Sequence, residues 1–149
     1  AALQRGWTFL SDDVVVVAPD TASVVPFHRP LGLRADRARM LGLAVVRDRW
    51  PKASAAPLPA STFAELAPAT NLGALVVLER DDQSPAAPEL TSLSPAEALA
   101  RLTTLTLAAG GHEVRMFREL HGLVETTDAF VLRYRDAIEA AALLGSALA

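Results

Sequence analysis

The sequence contains no cysteine. Disulfide staples and thiolate metal sites are therefore excluded, and the absence fits a reducing cytosol, so a cytoplasmic location is expected. Lysine is almost missing as well. Thirteen of the cations are arginine, and the one lysine, Lys52, follows Pro51 with no glycine nearby. It cannot serve a phosphate loop, and neither G-x-x-x-x-G-K-[ST] nor G-x-G-x-x-G occurs anywhere in the chain. G-x-S-x-G is absent, which leaves a hydrolase triad without support. The three histidines, His28, His112 and His121, form neither H-x-x-x-H nor H-E-x-x-H, so no zinc site is expected. No apolar run approaches the roughly 18 residues of a membrane span. The first residues, Ala1-Ala2-Leu3-Gln4-Arg5-Gly6-Trp7, lack the apolar core of a signal peptide. Fourteen basic against 17 acidic side chains leave a net charge of −3, and nothing marks the chain as a general nucleic-acid binder. No membrane or nucleic-acid partner is expected.

What is present is apolar material on the scale of one domain. The chain has 149 residues, 51% of them hydrophobic, though alanine supplies much of that figure and aromatics only 5%. The most informative stretch is Gly6-Trp7-Thr8-Phe9-Leu10-Ser11-Asp12-Asp13-Val14-Val15-Val16-Val17. Two adjacent carboxylates interrupt what would otherwise be one apolar strand. A charge buried in a sheet is costly unless it is paired, hydrogen-bonded or bound to a metal. Two readings stand side by side. Ser-Asp-Asp is good turn chemistry and would place both charges in water. Alternatively, the pair sits at a strand end, where it holds Mg²⁺ or takes a proton.

Along the rest of the chain, Gly6 reads as the stop of a helix tail, followed by strands over Trp7–Leu10, Val14–Val17 and Ser23–Phe27. Pro19-Asp20 is a turn signal. Part of Leu31–Leu43 reads as a short helix, and Trp50–Pro68, rich in Pro, Ala and Ser, as a long loop. Leu72–Leu78 is a near-continuous apolar run, the pattern of a strand buried on both faces. Asp81–Pro88 is a loop. Ser94-Pro95-Ala96-Glu97 carries a capping box with Pro at the first helical position, and predicts a helix to about Ala109, stopped by Gly110-Gly111. A second helix is expected over about Glu113–His121, ending at Gly122. A strand over Ala129–Tyr134 and a terminal helix over Asp136–Leu148 complete the reading. Strands alternating with helices argue for an α/β layer structure.

Three arginine-bearing places are candidates for anion contact. His28-Arg29 follows an apolar strand and meets phosphate, or else forms a surface turn. Arg115 and Arg118 lie three apart on one helix face, as an anion clamp or as a solvated face. Arg133-Tyr134-Arg135-Asp136 sits at a strand-to-helix junction, but Asp136 already occupies the helix end, so a structural role is expected there.

Arg5-Gly6-Trp7, then Leu10-Ser11-Asp12-Asp13 with its valine strand, then Val25-Pro26-Phe27-His28-Arg29-Pro30-Leu31, resembles HPr kinase/phosphorylase-like proteins. The closer likeness is to HPr-kinase-related proteins of bacterial biosynthetic clusters. Phe130-Val131-Leu132-Arg133-Tyr134-Arg135-Asp136 is similar to the closing strand and helix of that group. The resemblance implies an α/β fold: a mixed β-sheet flanked by helices, built on the nucleotide-binding core shared with ATP-dependent phosphoenolpyruvate carboxykinase. It implies one kinase-like domain over residues 1–149, incomplete at its N-terminus, because the family's phosphate loop lies a short helix upstream of the Arg-Gly-Trp segment.

By the same resemblance, Asp12 is the catalytic base that deprotonates the accepting hydroxyl. Asp12 and Asp13 are then expected to serve Mg²⁺, Asp13 either supporting the metal or orienting the loop, and Asp13, with the His28-Arg29 pair read above as a phosphate contact, is expected at the nucleotide. ATP and Mg²⁺ are the implied cofactors, held mainly by the upstream loop. No Glu-x-Arg-Gly segment is present, which turns the expected acceptor from HPr itself towards a hydroxyl of another protein, a peptide or a small molecule. The resemblance also admits a homo-oligomer. The alternative from a different class is a catalytically inactive kinase-like module that docks a peptide or partner protein through its Pro/Ala loop and arginine-bearing helices.

Overall fold

The computed structural model describes residues 2, 5–11, 14–18, 22–28, 31–34, 55–58, 61, 65–83, 87–106 and 111–148. Among these the chain is α/β, with three small sheets and three helices.

The largest unit is built from the C-terminal half. Strand β6 (Ala74–Arg80) runs parallel to β8 (Asp128–Tyr134), and β7 (Glu89–Ser92) pairs antiparallel with the other edge of β8, in the order β6-β8-β7. This is a mixed sheet. The connection from β6 to β8 passes through β7, helix α1 (Pro95–Leu105) and helix α2 (Glu113–Thr126), as a parallel pair requires a crossover. Helix α3 (Ala137–Ala147) closes the chain against β7 and β8.

Helix α1 starts where its local chemistry dictates. The Ser94 hydroxyl accepts from the Glu97 N–H, and the Glu97 carboxylate accepts from the Ser94 N–H at 2.9 Å, a complete capping box. Ala98 of α1, Val124 of α2 and Ala129 of β8 form a buried cluster, with Leu75, Leu93, Leu99 and Leu102 packed around it. Successive strand residues face opposite ways, so Ala129 and Leu132 lie on opposite faces of β8. Leu132 is the most completely buried side chain described, at 1% exposure. Among the described residues no polar or charged side chain is buried.

The N-terminal half adds β1 (Val16–Ala18), β2 (Ser23–Val25) and β5 (Thr70–Asn71) in a second sheet, order β1-β2-β5, both pairings antiparallel. Strands β3 (Leu31–Arg34) and β4 (Ala55–Leu58) make a two-stranded third. Gly6 has φ +85°, and Trp7 N–H donates to the Ala2 carbonyl at 3.4 Å, a left-handed stop of the kind glycine permits.

Several expectations need correction. Of Leu31–Leu43, part of which is expected as a short helix, Leu31–Arg34 is a strand, because it finds an antiparallel partner in Ala55–Leu58. That partner lies within Trp50–Pro68, expected as one loop; in the same stretch Leu66 pairs with Phe9. Trp7–Leu10 is not a regular strand: it contributes the isolated bridge at Phe9. The apolar run is shifted to Ala74–Arg80 and is half-buried rather than buried on both faces, since β6 is at the margin of its sheet and Leu78 is 59% exposed. The short strand β7 had no pattern to announce it; its pairing with β8 makes it a strand.

Helix α1 ends at Leu105, short of Ala109. Thr106 caps it, with N–H and hydroxyl both donating to the Leu102 carbonyl, at 2.9 and 2.7 Å. Helix α2 does not end at Gly122 but continues to Thr126. A glycine inside a helix costs only about 1 kcal/mol, and the turn beyond it buries Val124 against α1 and β8. The expected terminal helix stands, with the Asp136 carboxylate accepting from Ile138 and Glu139 N–H groups. The turn at Pro19-Asp20, Lys52, Gly110 and residues 35–43 of the expected helix lie outside the described residues.

Candidate functional site

Two of the stretches that carry the sequence resemblance meet at Ser11 and Phe27. Phe9 and Ser11, two apart, form bridges on their two sides: Phe9 with Leu66 and Ser11 with Phe27, both parallel. Phe9 N–H donates to the Glu65 carbonyl at 2.8 Å, Ala67 N–H to the Phe9 carbonyl at 2.9 Å, and Phe27 N–H to the Leu10 carbonyl at 3.1 Å. The Phe9 side chain is buried at 5% exposure, and its ring lies 6.2 Å from that of His28, tilted by 35°. His28 itself is exposed.

Ser11 ties the arrangement together. Its single hydroxyl proton is shared between the Val14 carbonyl and, at 3.3 Å, the Phe27 carbonyl. Trp7, from the Arg-Gly-Trp segment, lies over α3: a β-carbon at Gly145 would be 3.8 Å from Trp7 Nε1 and 4.0 Å from its Cζ2, ordinary contact distances. The N-terminal segment is thereby seated on the C-terminal helix.

Of the sequence-expected site residues, His28 is described and stands one residue beyond Phe27. Asp12, Asp13 and Arg29 lie outside the described residues; Asp12 and Asp13 follow Ser11 in the chain, and Arg29 follows His28. Among the described residues no group of three or more His, Asp or Glu side chains converges as a metal site would require. The described residues therefore do not make a Mg²⁺ site by themselves.

A second charged constellation lies at the carboxyl ends of the parallel strands. Glu79 of β6 accepts from Arg101 of α1 and, at 3.1 Å, from Arg133 of β8. The Arg101 hydrogen bond, followed by that of Arg133, lowers the Glu79 pKa below the usual carboxylate range. Arg133 thus has the structural role expected of it. Glu79 and Arg101 were not singled out in the sequence; only the register of β6 on β8 brings Glu79 opposite Arg133. Arg115, half of the expected anion clamp, is engaged by Glu119 four residues on, at 2.7 Å, which accords with a solvated helix face.

No helix among the described residues is long and apolar enough to cross a membrane. Comparison with family models, with curated proteins and with solved structures returned no match.

Proposed function

We propose that the intact protein is an ATP-dependent phosphotransferase of the HPr-kinase-like type. It acts on a serine or other hydroxyl of a protein, a peptide or a small molecule. Asp12 takes the acceptor's proton as the acceptor oxygen forms its bond to the γ-phosphorus. The bond from that phosphorus to the β,γ-bridging oxygen breaks, and ADP leaves. Positioning and electrostatic stabilisation carry most of such a reaction. Asp12 and Asp13 would serve the metal, and Asp13, His28 and Arg29 the nucleotide. Mg²⁺, when bound, would neutralise the phosphates, with the main phosphate cradle supplied by sequence outside this chain.

The observation that carries this reading is the pairing of Ser11 with Phe27. The expected site residues come from two of the stretches that carry the resemblance, Leu10-Ser11-Asp12-Asp13 and Val25-Pro26-Phe27-His28-Arg29-Pro30-Leu31, which are separated in the chain. A joint site requires them to be neighbours, and Ser11 and Phe27 are hydrogen-bonded neighbours. Turn chemistry alone at Ser11-Asp12-Asp13 would need no such partner.

The test is Asp12→Asn in the intact protein, with ATP turnover and circular dichroism measured together. Loss of an acid–base group typically costs on the order of 10²–10⁴-fold in rate. We expect a loss of that order with the fold unchanged, and an in-frame G-x-x-x-x-G-K-[ST] encoded upstream of Ala1. Wild-type turnover in the variant, or no turnover in the intact protein at all, would replace the enzyme with the docking module.

A further inference from the structure

We infer that β6 is an interaction edge whose partner is β6 of a second copy of this chain, paired antiparallel about a twofold axis at Val76. Strand β6 lies at the margin of the sheet β6-β8-β7 and pairs with β8 along one side only. On its other side, among the described residues, no main-chain group of Ala74–Arg80 finds a hydrogen-bond partner. A strand with one neighbour leaves a row of unpaired N–H and C=O groups on its open side, a template for another strand.

Proteins guard such edges with short strands, charges, lysine or proline. The opposite margin of this sheet is guarded: β7 has four residues, of which Glu89, Thr91 and Ser92 are exposed. Strand β6 is not. It has seven residues, and Ala74-Leu75-Val76-Val77-Leu78 carries neither charge nor proline. The two charges that follow are matched within the chain. Glu79 accepts from Arg101 and Arg133, and Arg80 pairs with Asp82 at 2.7 Å. Leu78, on the face opposite to that of Glu79, is left 59% exposed.

The strand's own sequence selects both partner and register. A twofold axis perpendicular to the sheet sets one residue opposite its own copy. With Val76 there, Leu75 lies opposite Val77 of the copy, and Ala74 opposite Leu78. Every residue of the apolar run then meets an apolar one, and the small Ala74 leaves room for the exposed Leu78. Glu79 falls opposite Gly73, where an added β-carbon would meet nothing within 4 Å. An axis at Val77 instead sets Glu79 against Leu75 and Arg80 against Ala74. An axis at Leu75 draws in Asn71 and Leu72, which are already bonded towards Ser23 and Ala22. The pairing at Val76 continues the sheet through both copies. It is small beside the standard interface of about 1,600 Å², so the dimer is weak and forms with rising concentration.

The experiment is sedimentation equilibrium of the intact protein over roughly a hundredfold range of concentration, with circular dichroism on each variant. The wild type should pass reversibly from monomer to dimer. Leu78→Lys should raise the dimer dissociation constant by about tenfold or more, because lysine on an open edge opposes pairing. Its folded spectrum should be kept, since Leu78 is exposed. Single cysteines then read the register, as this chain has none of its own. Opposed residues of an antiparallel pair stand about 4.5–5.5 Å apart, within reach of a disulfide. Val76→Cys should therefore cross-link two copies on air oxidation. Leu78→Cys, displaced roughly 13 Å along the strands from its own copy, should give no more cross-linking than the wild type. A monomer at every concentration overturns the inference and gives the edge to another strand, from further sequence of the intact protein or from a different protein. A dimer that Leu78→Lys leaves unchanged overturns it as well, and so does Val76→Cys that folds without cross-linking.

Discussion

Glu79 and Arg133 stand directly opposite each other on the parallel strands β6 and β8, and Arg133 Nε donates to Glu79 Oε2 at 3.1 Å. The other carboxylate oxygen accepts from Arg101 of α1. One side chain therefore links the first strand of the parallel pair, the second, and the helix of the crossover between them. The apolar cluster of Leu75, Ala98, Val124 and Ala129 makes the same connection nearer the start of the strands.

The pH dependence of stability follows from this group and two caps. Arg101 and then Arg133 lower the pKa of Glu79; the Ser94 hydroxyl and then its N–H lower that of Glu97; the N–H groups of Glu139 and then Ile138 lower that of Asp136. A carboxylate whose pKa is depressed by folding contributes stability that is full above its unfolded-state pKa. That contribution is lost as pH falls through the folded-state value. Melting temperature should therefore drop on acidification below the ordinary carboxylate range. Glu79→Gln should lose less over the same interval than the wild type, and 1 M salt should narrow the gap by screening the exposed Arg133 and the half-buried Arg101. Parallel melting curves of the two proteins from pH 7 to pH 3 check this; equal losses in both would remove Glu79 from the account.

Leu132→Ala should be the most damaging of single core truncations. Leu132 is exposed by only 1% and sits in the central strand of the mixed sheet. Removing a buried leucine side chain costs about 2–5 kcal/mol through lost transfer free energy and the cavity left behind. Urea unfolding should show a midpoint lowered accordingly. A loss below about 1 kcal/mol would mean that the site collapses freely or is wetter than its burial implies.

Gly122→Ala should act in the opposite direction. Gly122 lies inside α2, its φ is not in the left-handed region, and an added β-carbon would meet nothing within 4 Å. Alanine in a helix interior is favoured over glycine by about 0.5–1 kcal/mol. Chemical denaturation should register a gain of that order. Destabilisation would instead indicate that the helix breaks at this residue, as the sequence pattern alone suggested.

How much could be read beforehand depended on the range over which each feature is encoded. The start of α1 at Ser94-Pro95-Glu97, the cap at Asp136 and the alternation of β8 are written within a few neighbouring residues, and all three appear in the structure. The candidate site was partly readable. Leu10-Ser11-Asp12-Asp13 and Phe27-His28-Arg29 drew attention as residue types, but the bond from Ser11 to Phe27 has no local signature.

Composition, caps and periodicity thus carried the α/β class, the helix starts and the absence of any long apolar span, because each follows from the chemistry of residues close in the chain. The pairing of Leu31–Arg34 with Ala55–Leu58, the passage of α2 through Gly122, the convergence of Arg101 and Arg133 on Glu79, and the joining of Ser11 to Phe27 belong to the tertiary structure. Each depends on partners distant in sequence. Contacts made on folding outweigh local preferences of about 1 kcal/mol or less per residue.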